Sequence, residues 1–210
     1  MPQQNHLGEE LLQIVDEKTG SLVGKQVPRK EVIEQKLWCR STNIFVMNSK
    51  GQVLCHQRSL NKERYPGWWM THFGGHVSGE ESYDENAIKE VHEEIGIEVK
   101  PEELLPWRTS RKDISRLWMR DYITIFDGDT SELVLQKSEI EQVKWFSPEE
   151  IFAALDNEDT ETSEGWKAGT HNFEQDYHCM RAVLTAAMHM GLFSDTFHHM
   201  KKWNPTAREI

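Results

Sequence analysis

The sequence predicts an α/β (α+β) fold. Three observations carry this reading: apolar runs of strand length paired around turn sequences, one sharply delimited amphipathic helix at 83–95, and helical periodicity again near the C-terminus. A chain of 210 residues suits one medium domain with extensions, and at 37% hydrophobic and 28% charged residues it has enough apolar mass for a core.

Residues 11–27 read as a hairpin, with LLQIV and SLVG flanking the turn Asp16-Glu17-Lys18-Thr19-Gly20. A basic-polar link follows. Residues 43–47 and 52–57 form a stronger pair around Asn48-Ser49-Lys50-Gly51. The stretch 61–76 mixes Pro, Gly and aromatics and reads as loop and strand. For the helix at 83–95, Ser82 and Glu85 make a capping box, and Asp84 and Glu85 add negative charge to the first turn. Tyr83, Ala87, Val91 and Ile95, with Ile88 beside them, form an apolar stripe, and Gly96 stands where a left-handed C-terminal cap belongs. Strands are expected at 96–99, 117–126, 132–136 and 142–146. Pro148 then opens a short helix to about Leu155, in the turn where its missing N–H does no harm. Residues 156–170 read as an exposed acidic linker. Beyond them Tyr177, Met180, Val183, Leu184, Ala187 and Met188 recur at helical spacing before Gly191. The expected organisation is a domain over 1–155 and an extension over 156–210 packed on it, with a homodimer through the last helix as a further expectation.

The formal charge of -11 is unevenly placed. Residues 75–98 hold eight acids against Lys89, and residues 149–164 hold seven acids with no Lys or Arg. General phosphate-backbone binding is disfavoured, because nucleic-acid-binding surfaces are basic. The second acidic block is the solvated linker, the usual fate of such runs. No stretch approaches the ~20 apolar residues that span a bilayer, and MPQQNHLGEELL lacks the regions of a signal peptide. Cys39, Cys55 and Cys179 are odd in number, far apart and in no CxxC pair, which argues against disulfides or structural zinc and fits a reducing cytoplasm.

The first acidic block asks for another cause. Glu90, Glu93 and Glu94 gather on one helix face at i, i+3 and i+4, where like charges cost about 0.2–0.5 kcal/mol per pair. On an arbitrary helix the solvated face is the default reading. Two glycines immediately upstream shift it toward a hard-cation site, since Mg²⁺ takes oxygen ligands, keeps waters and is completed by substrate phosphates.

The segment GGHVSGEESYDENAIKEVHEEIGIE resembles the Nudix box, G-x5-E-x7-R-E-U-x-E-E-x-G-U with U a bulky aliphatic. Gly75, Glu81, Glu90, Val91, Glu93, Glu94, Gly96 and Ile97 take its fixed positions, and Lys89 stands where the family has Arg. Lys keeps the charge but lacks the planar fork that grips a carboxylate with two bonds. The run at 9–32, the stretch Gln57-Arg58-Ser59 … Tyr65-Pro66-Gly67-Trp68 and the stretch 139–150 are similar to the isopentenyl-diphosphate-isomerase-like branch of Nudix proteins, and the resemblance covers roughly 8–155. It implies a mixed β-sheet between helices and a small-molecule diphosphate substrate, with neither a nucleic-acid polymer nor a membrane as partner.

Within that branch the isomerases carry C-G-H where this chain has Gly74-Gly75-His76, and their later acidic strand corresponds at best to Met119-Arg120-Asp121. An isomerase must protonate a double bond and remove a proton opposite, so a missing acid/base partner disables it. Cys55 lies some twenty residues too early to replace the thiol. The glutamate cluster favours hydrolysis; an isomerase and a non-catalytic Nudix-like binding module are the alternatives. The resemblance implies Mg²⁺, with Mn²⁺ as a substitute, on Glu90 and Glu94, the carbonyl of Gly75 or Gly74, and Glu93 as ligand or water-orienting group. Glu81 would support the site or a second ion, and Lys89 would hold Glu93. Glu139 and Glu141 are acids of a later loop that can act as base in this family, though a plain surface charge is the default for each. Arg58 and His76 are placed on the substrate side. Trp68, Trp69, His72 and Phe73 are core or rim aromatics of which one, Trp68 by preference, stacks on a nucleobase. His189, His198 and His199 lack a metal spacing.

Overall fold

The computed structural model describes residues 9–63, 65–151, 182–184 and 187. Its described strands form one eight-stranded sheet. The N-terminal hairpin is β1 (Leu11–Val15) with β2 (Leu22–Pro28), closed by Asp16, whose Oδ1 accepts from the amides of Lys18 and Thr19. A two-turn helix, α1 (Arg29–Gln35), leads to the central strand β3 (Cys39–Met47). Strand β3 runs parallel to β7 (Leu117–Ile125) along its whole length, and β6 (Leu105–Lys112) flanks β7 antiparallel.

On its other edge β3 meets β4 (Val53–Arg58) only at Met47 and Val53, after which the two diverge. Strand β4 instead pairs with β8 (Ile140–Phe146) and with the short β5 (Trp69–Met70). The gap beside β3 is filled by residues 73–77. Their backbone continues the ladder: Ile44 and Phe73 exchange two hydrogen bonds, the Thr42 amide donates to the Gly75 carbonyl, and the Val77 amide donates to the Arg40 carbonyl. This divergence makes room for the site.

Helix α2 (Tyr83–Ile95) covers one face, with Ala87, Val91 and Ile95 packed on Ile44, Val46 and Tyr122. Its capping box at Ser82 and Glu85 and its left-handed Gly96 cap are formed as the sequence predicts. The opposite face is filled by Phe45, Met47, Cys55, Trp69 and Phe146 together with Val183, Leu184 and Ala187, all buried.

The differences from expectation have local causes. Residues 96–99 are unpaired, because Gly96 turns the chain out of α2 and Pro101 opens a 3-10 turn, Pro101–Glu103. Residues 133–136 are not a strand either. The Val134 and Gln136 amides donate to the Ile95 and Glu94 carbonyls, so this segment ties down the end of α2. Helix α1 and strand β6 lie in stretches with no clear apolar period. The helix at Pro148 is formed through Ile151, and its expected end lies outside the described residues, as do the acidic linker, Cys179, the tail histidines and most of the C-terminal periodic segment.

Candidate active site

Gly74 and Gly75 lie between the edge of β3 and the C-terminal half of α2, and each is glycine for its own reason. Gly74 has φ +125°, and a Cβ there would fall 2.3 Å from the Thr42 carbonyl oxygen. Gly75 leaves space for Glu90, whose carboxylate atoms lie 3.0–3.1 Å from where a Cβ would be. The Glu90 and Glu94 carboxylates thus reach past the loop into a cleft of about 670 Å³ on the far side.

Both acids are held in low dielectric. Glu94 is 9% exposed and takes one hydrogen bond from the Gly74 amide at 3.2 Å. Burial, reinforced by the charge of Glu90, pushes its carboxyl up to about 8. Burial likewise pushes Glu90 up to about 7, with Lys89 opposing the rise and Glu93 adding to it. Among the described residues neither is in a salt bridge.

Asn86 joins the parts. Fully buried in α2, it accepts from the Thr42 hydroxyl at 2.7 Å and donates to the His76 carbonyl at 3.1 Å, and its amide nitrogen lies 3.3 Å from Glu90 Oε1 and 3.4 Å from Glu81 Oε2. The side chain therefore links strand, loop and both acids. Sequence reasoning passed over it, although Asn86 stands one turn before Glu90 on the same helix face.

Lys89 does not hold Glu93. Its Nζ donates to both carboxylate oxygens of Glu81, at 2.7 and 2.9 Å, because the loop carries Glu81 back over the helix to within reach. Nor is the Gly75 carbonyl open: it accepts from the Thr42 amide and from the Ser41 hydroxyl, both at 2.9 Å. The Gly74 carbonyl accepts no hydrogen bond among the described residues, which leaves it the better placed of the two.

Glu93, His76, Arg58 and Trp68 all line the cleft. Trp68 stands 4.3 Å, centroid to centroid, from Tyr65. Of the other aromatics, His72 lines the cleft, whereas Trp69 and Phe73 are buried in the core. Glu139 lines it too, in a 2.7 Å ion pair with Lys62, and its charge contributes to the raised carboxyl of Glu94. Glu141 points into solvent on β8 and is not part of the lining. Glu10, just before β1, and Arg29, the first residue of α1, are paired at 2.9 Å and reach the cleft from the N-terminal segment, which no local pattern in the sequence announced.

The isomerase features are absent from the geometry. Cys55 is fully buried, and burial pushes its thiol up, away from reactivity. Asp121 is buried in a 2.6 Å ion pair with Arg108.

A strand-loop-helix with clustered glutamates on the helix, facing a cleft across a glycine loop, defines a site of the Nudix class. The sequence model of the NUDIX domain matches residues 37–165, and the chain belongs to that family. It is similar to uncharacterized Nudix hydrolases of Yersinia pestis (31% identical over 169 residues, 80% of this chain and 90% of the relative) and Pseudomonas aeruginosa (33% over 140 residues, 67% and 80%). Escherichia coli YfcD, also an uncharacterized Nudix hydrolase, is 30% identical over 156 residues, 74% and 84% of the two chains. The crystal structure of DR0079 from Deinococcus radiodurans shares the fold, with a TM-score of 0.62 and 24% identity over 82% of this chain and 98% of that one. The protein is thus a hydrolase of the Nudix family, whose members act on small molecules and use divalent cations. The narrower resemblance to the isopentenyl branch is not carried by these relatives. Among the described residues no helix is long and apolar enough to cross a membrane.

Proposed function

We propose that the protein is a Mg²⁺-dependent hydrolase, with Mn²⁺ as a substitute, that cleaves the diphosphate linkage of a nucleoside diphosphate-type or related small molecule by attack of water on phosphorus. The observation that carries this reading is the pair Glu90 and Glu94, a half-buried and a buried carboxyl at a large cleft with no salt bridge to either among the described residues. Among the described residues no three His, Cys, Asp or Glu side chains are grouped so as to hold a metal ion by themselves. Two carboxylates, a backbone carbonyl, waters and phosphate oxygens are what Mg²⁺ takes in phosphoryl chemistry, so the donor set fits.

Glu90 and Glu94 would hold the ion with the Gly74 carbonyl, and Glu93 would serve as a further ligand or orient the water. When bound, Mg²⁺ neutralises phosphate oxygens and favours ionisation of water. Lys89 fixes Glu81, and Asn86 fixes the rotamer of Glu90, so the acids need not reorganise. Arg58 and Lys62 meet phosphate oxygens from the β4 side. Glu139, released from Lys62 when phosphate takes that ammonium, is the acid placed to accept a proton. Trp68 offers its face to a base. On the same reading the protein acts in the cytoplasm, takes no nucleic-acid polymer or membrane as partner, and folds as a domain over 1–155 with the remainder packed on it. The burial of Val183, Leu184 and Ala187 in the core of the sheet supports that packing, and it uses inside the chain three positions otherwise available to a homodimer.

A panel of nucleoside di- and triphosphates, nucleotide sugars, dinucleotides and prenyl diphosphates with Mg²⁺ or Mn²⁺ tests the proposal. Metal-dependent phosphate or monophosphate release abolished by Glu94→Gln is expected. Interconversion of prenyl diphosphates without such release would replace hydrolysis by isomerisation.

A further inference from the structure

Resting on that reading, we propose that the β6–β7 side of the cleft is a subsite for a sugar attached to the diphosphate, with the Asn43 side-chain carbonyl as its fixed acceptor of a hydroxyl proton. Asp121 shows why. It is 0% exposed, on β7, and its Oδ2 receives Arg108 Nη2 at 2.6 Å and Nε at 2.8 Å. No role in hydrolysis requires a charged pair there. Its remaining oxygen, Oδ1, accepts from Asn43 Nδ2 at 3.1 Å, and the same nitrogen lies 2.8 Å from Met119 Sδ.

A carboxylate only accepts, so the Asn43 amide cannot turn over without setting its oxygen against that of Asp121. The buried pair thus locks the amide nitrogen inward and leaves Oδ1 as the polar atom it can present. No donor among the described residues bonds to that oxygen, and Asn43 lines the cleft. An acceptor held in one orientation selects a donor on the ligand.

Register gives the scale. Asn43 lies on β3 beside the Phe73–Gly75 stretch, through the Ile44–Phe73 and Ser41–His76 bridges, and Leu117 and Met119 of β7 lie one strand further. Two strand spacings are about 10 Å, the span of a phosphate and one sugar ring. The floor there is aliphatic, Leu117 and Met119, and the rim carries Ser115 and Lys112, which has no ion pair among the described residues. Ring hydroxyls both donate and accept and match this mixture. A base finds its aromatic platform, Tyr65 and Trp68, on the opposite side of the glycine loop.

Calorimetric titration of the full chain with methylene-bridged ADP-ribose and methylene-bridged ADP, in Mg²⁺, tests the subsite apart from turnover. The ribose-bearing analogue is expected to bind at least tenfold more tightly. Asn43→Ala should weaken it about five- to tenfold more than the ADP analogue, the worth of one neutral hydrogen bond. The exchange Asn43→Asp with Asp121→Asn should restore the preference, because an acceptor is again held by an amide–carboxylate pair; a purely structural role of Asn43 predicts no such selective rescue. Equal affinity of the two analogues in the wild type, or equal weakening of both in Asn43→Ala, overturns the subsite. Discrimination without hydrolysis of any diphosphate would remove the proposed reaction and leave the subsite. Hydrolysis without discrimination would do the reverse.

Discussion

Occupation of the site by a divalent cation should expel protons in a pH-dependent number set by burial. In the metal-free protein Glu94 is pushed up to about 8 and Glu90 to about 7. At pH 7 the first is then about nine-tenths protonated and the second about half, so binding that needs both carboxylates releases about 1.4 protons. At pH 9 the release falls to about 0.1. The apparent affinity should rise roughly twentyfold over the same interval, since only about one molecule in twenty has both groups ionised at pH 7. Mn²⁺ titration by calorimetry in two buffers of different ionisation enthalpy gives the proton count directly. Glu94→Gln should remove about 0.9 of a proton at pH 7 along with most of the affinity. A release below about 0.3 at pH 7, at full occupancy, would show either that the ion bypasses these acids or that burial does not hold their protons.

The same carboxyls govern stability. A folded-state value raised above the unfolded one stabilises the metal-free protein fully below about pH 4.5 and ever less as pH rises through 7 and 8, so the unfolding free energy from urea titration should fall across that window by an amount on the order of several kcal/mol, and saturating Mg²⁺ should cancel the fall. A flat profile without metal would contradict the burial argument. Asn86→Leu removes the hydrogen bonds to the His76 carbonyl and from the Thr42 hydroxyl and should cost roughly 2–4 kcal/mol in urea unfolding, with weakened Mn²⁺ binding; a neutral effect on both would deny it the joining role. Lys89→Met should lower kcat/KM and Lys89→Arg should keep it, because the partner is the carboxylate of Glu81 and a guanidinium can grip both of its oxygens. Gly74→Ala should depress the melting temperature by about 5 °C or more, given φ +125° and a 2.3 Å approach to the Thr42 carbonyl; an unchanged melt would mean that the loop is free to shift.

The helix of the site was legible residue by residue, because capping, apolar stripe and glutamate spacing are all properties of one short segment: Ser82, Glu85, Val91 and Gly96 do what their positions say. What surrounds the helix was less legible, since it depends on chain returning from afar. Lys89 faces two acids at workable separations, Glu93 four residues on and Glu81 eight residues back; only the path of the loop from Ser78 decides for Glu81. The misread strands fail for a similar reason. Residues 132–136 have strand-like apolar content, but the Val134 and Gln136 amides are taken by carbonyls at the end of α2, and Leu133 and Leu135 pack on the same core as the helix. Strand β6 hides behind Pro106 and its Arg and Lys residues, because Arg108 turns inward to Asp121 while Thr109 and Arg111 are exposed.

Gly74 also bears on the two chemistries that the sequence set side by side. In the isomerase pattern this position carries the thiol, and restoring it here would place a Cβ 2.3 Å from a backbone oxygen of β3. A cysteine at this position would therefore need the loop to stand further from the strand, because the space its Cβ needs is occupied. The second isomerase region points the same way. Asp121 is buried in a pair with Arg108 and spends its other oxygen on Asn43, so its charge is committed within the sheet. Neither position offers a free acid or base, whereas Glu94 is buried and Glu90 half-buried, both raised and without a salt bridge among the described residues. That contrast supports the proposed attack of water on phosphorus over the isomerase alternative.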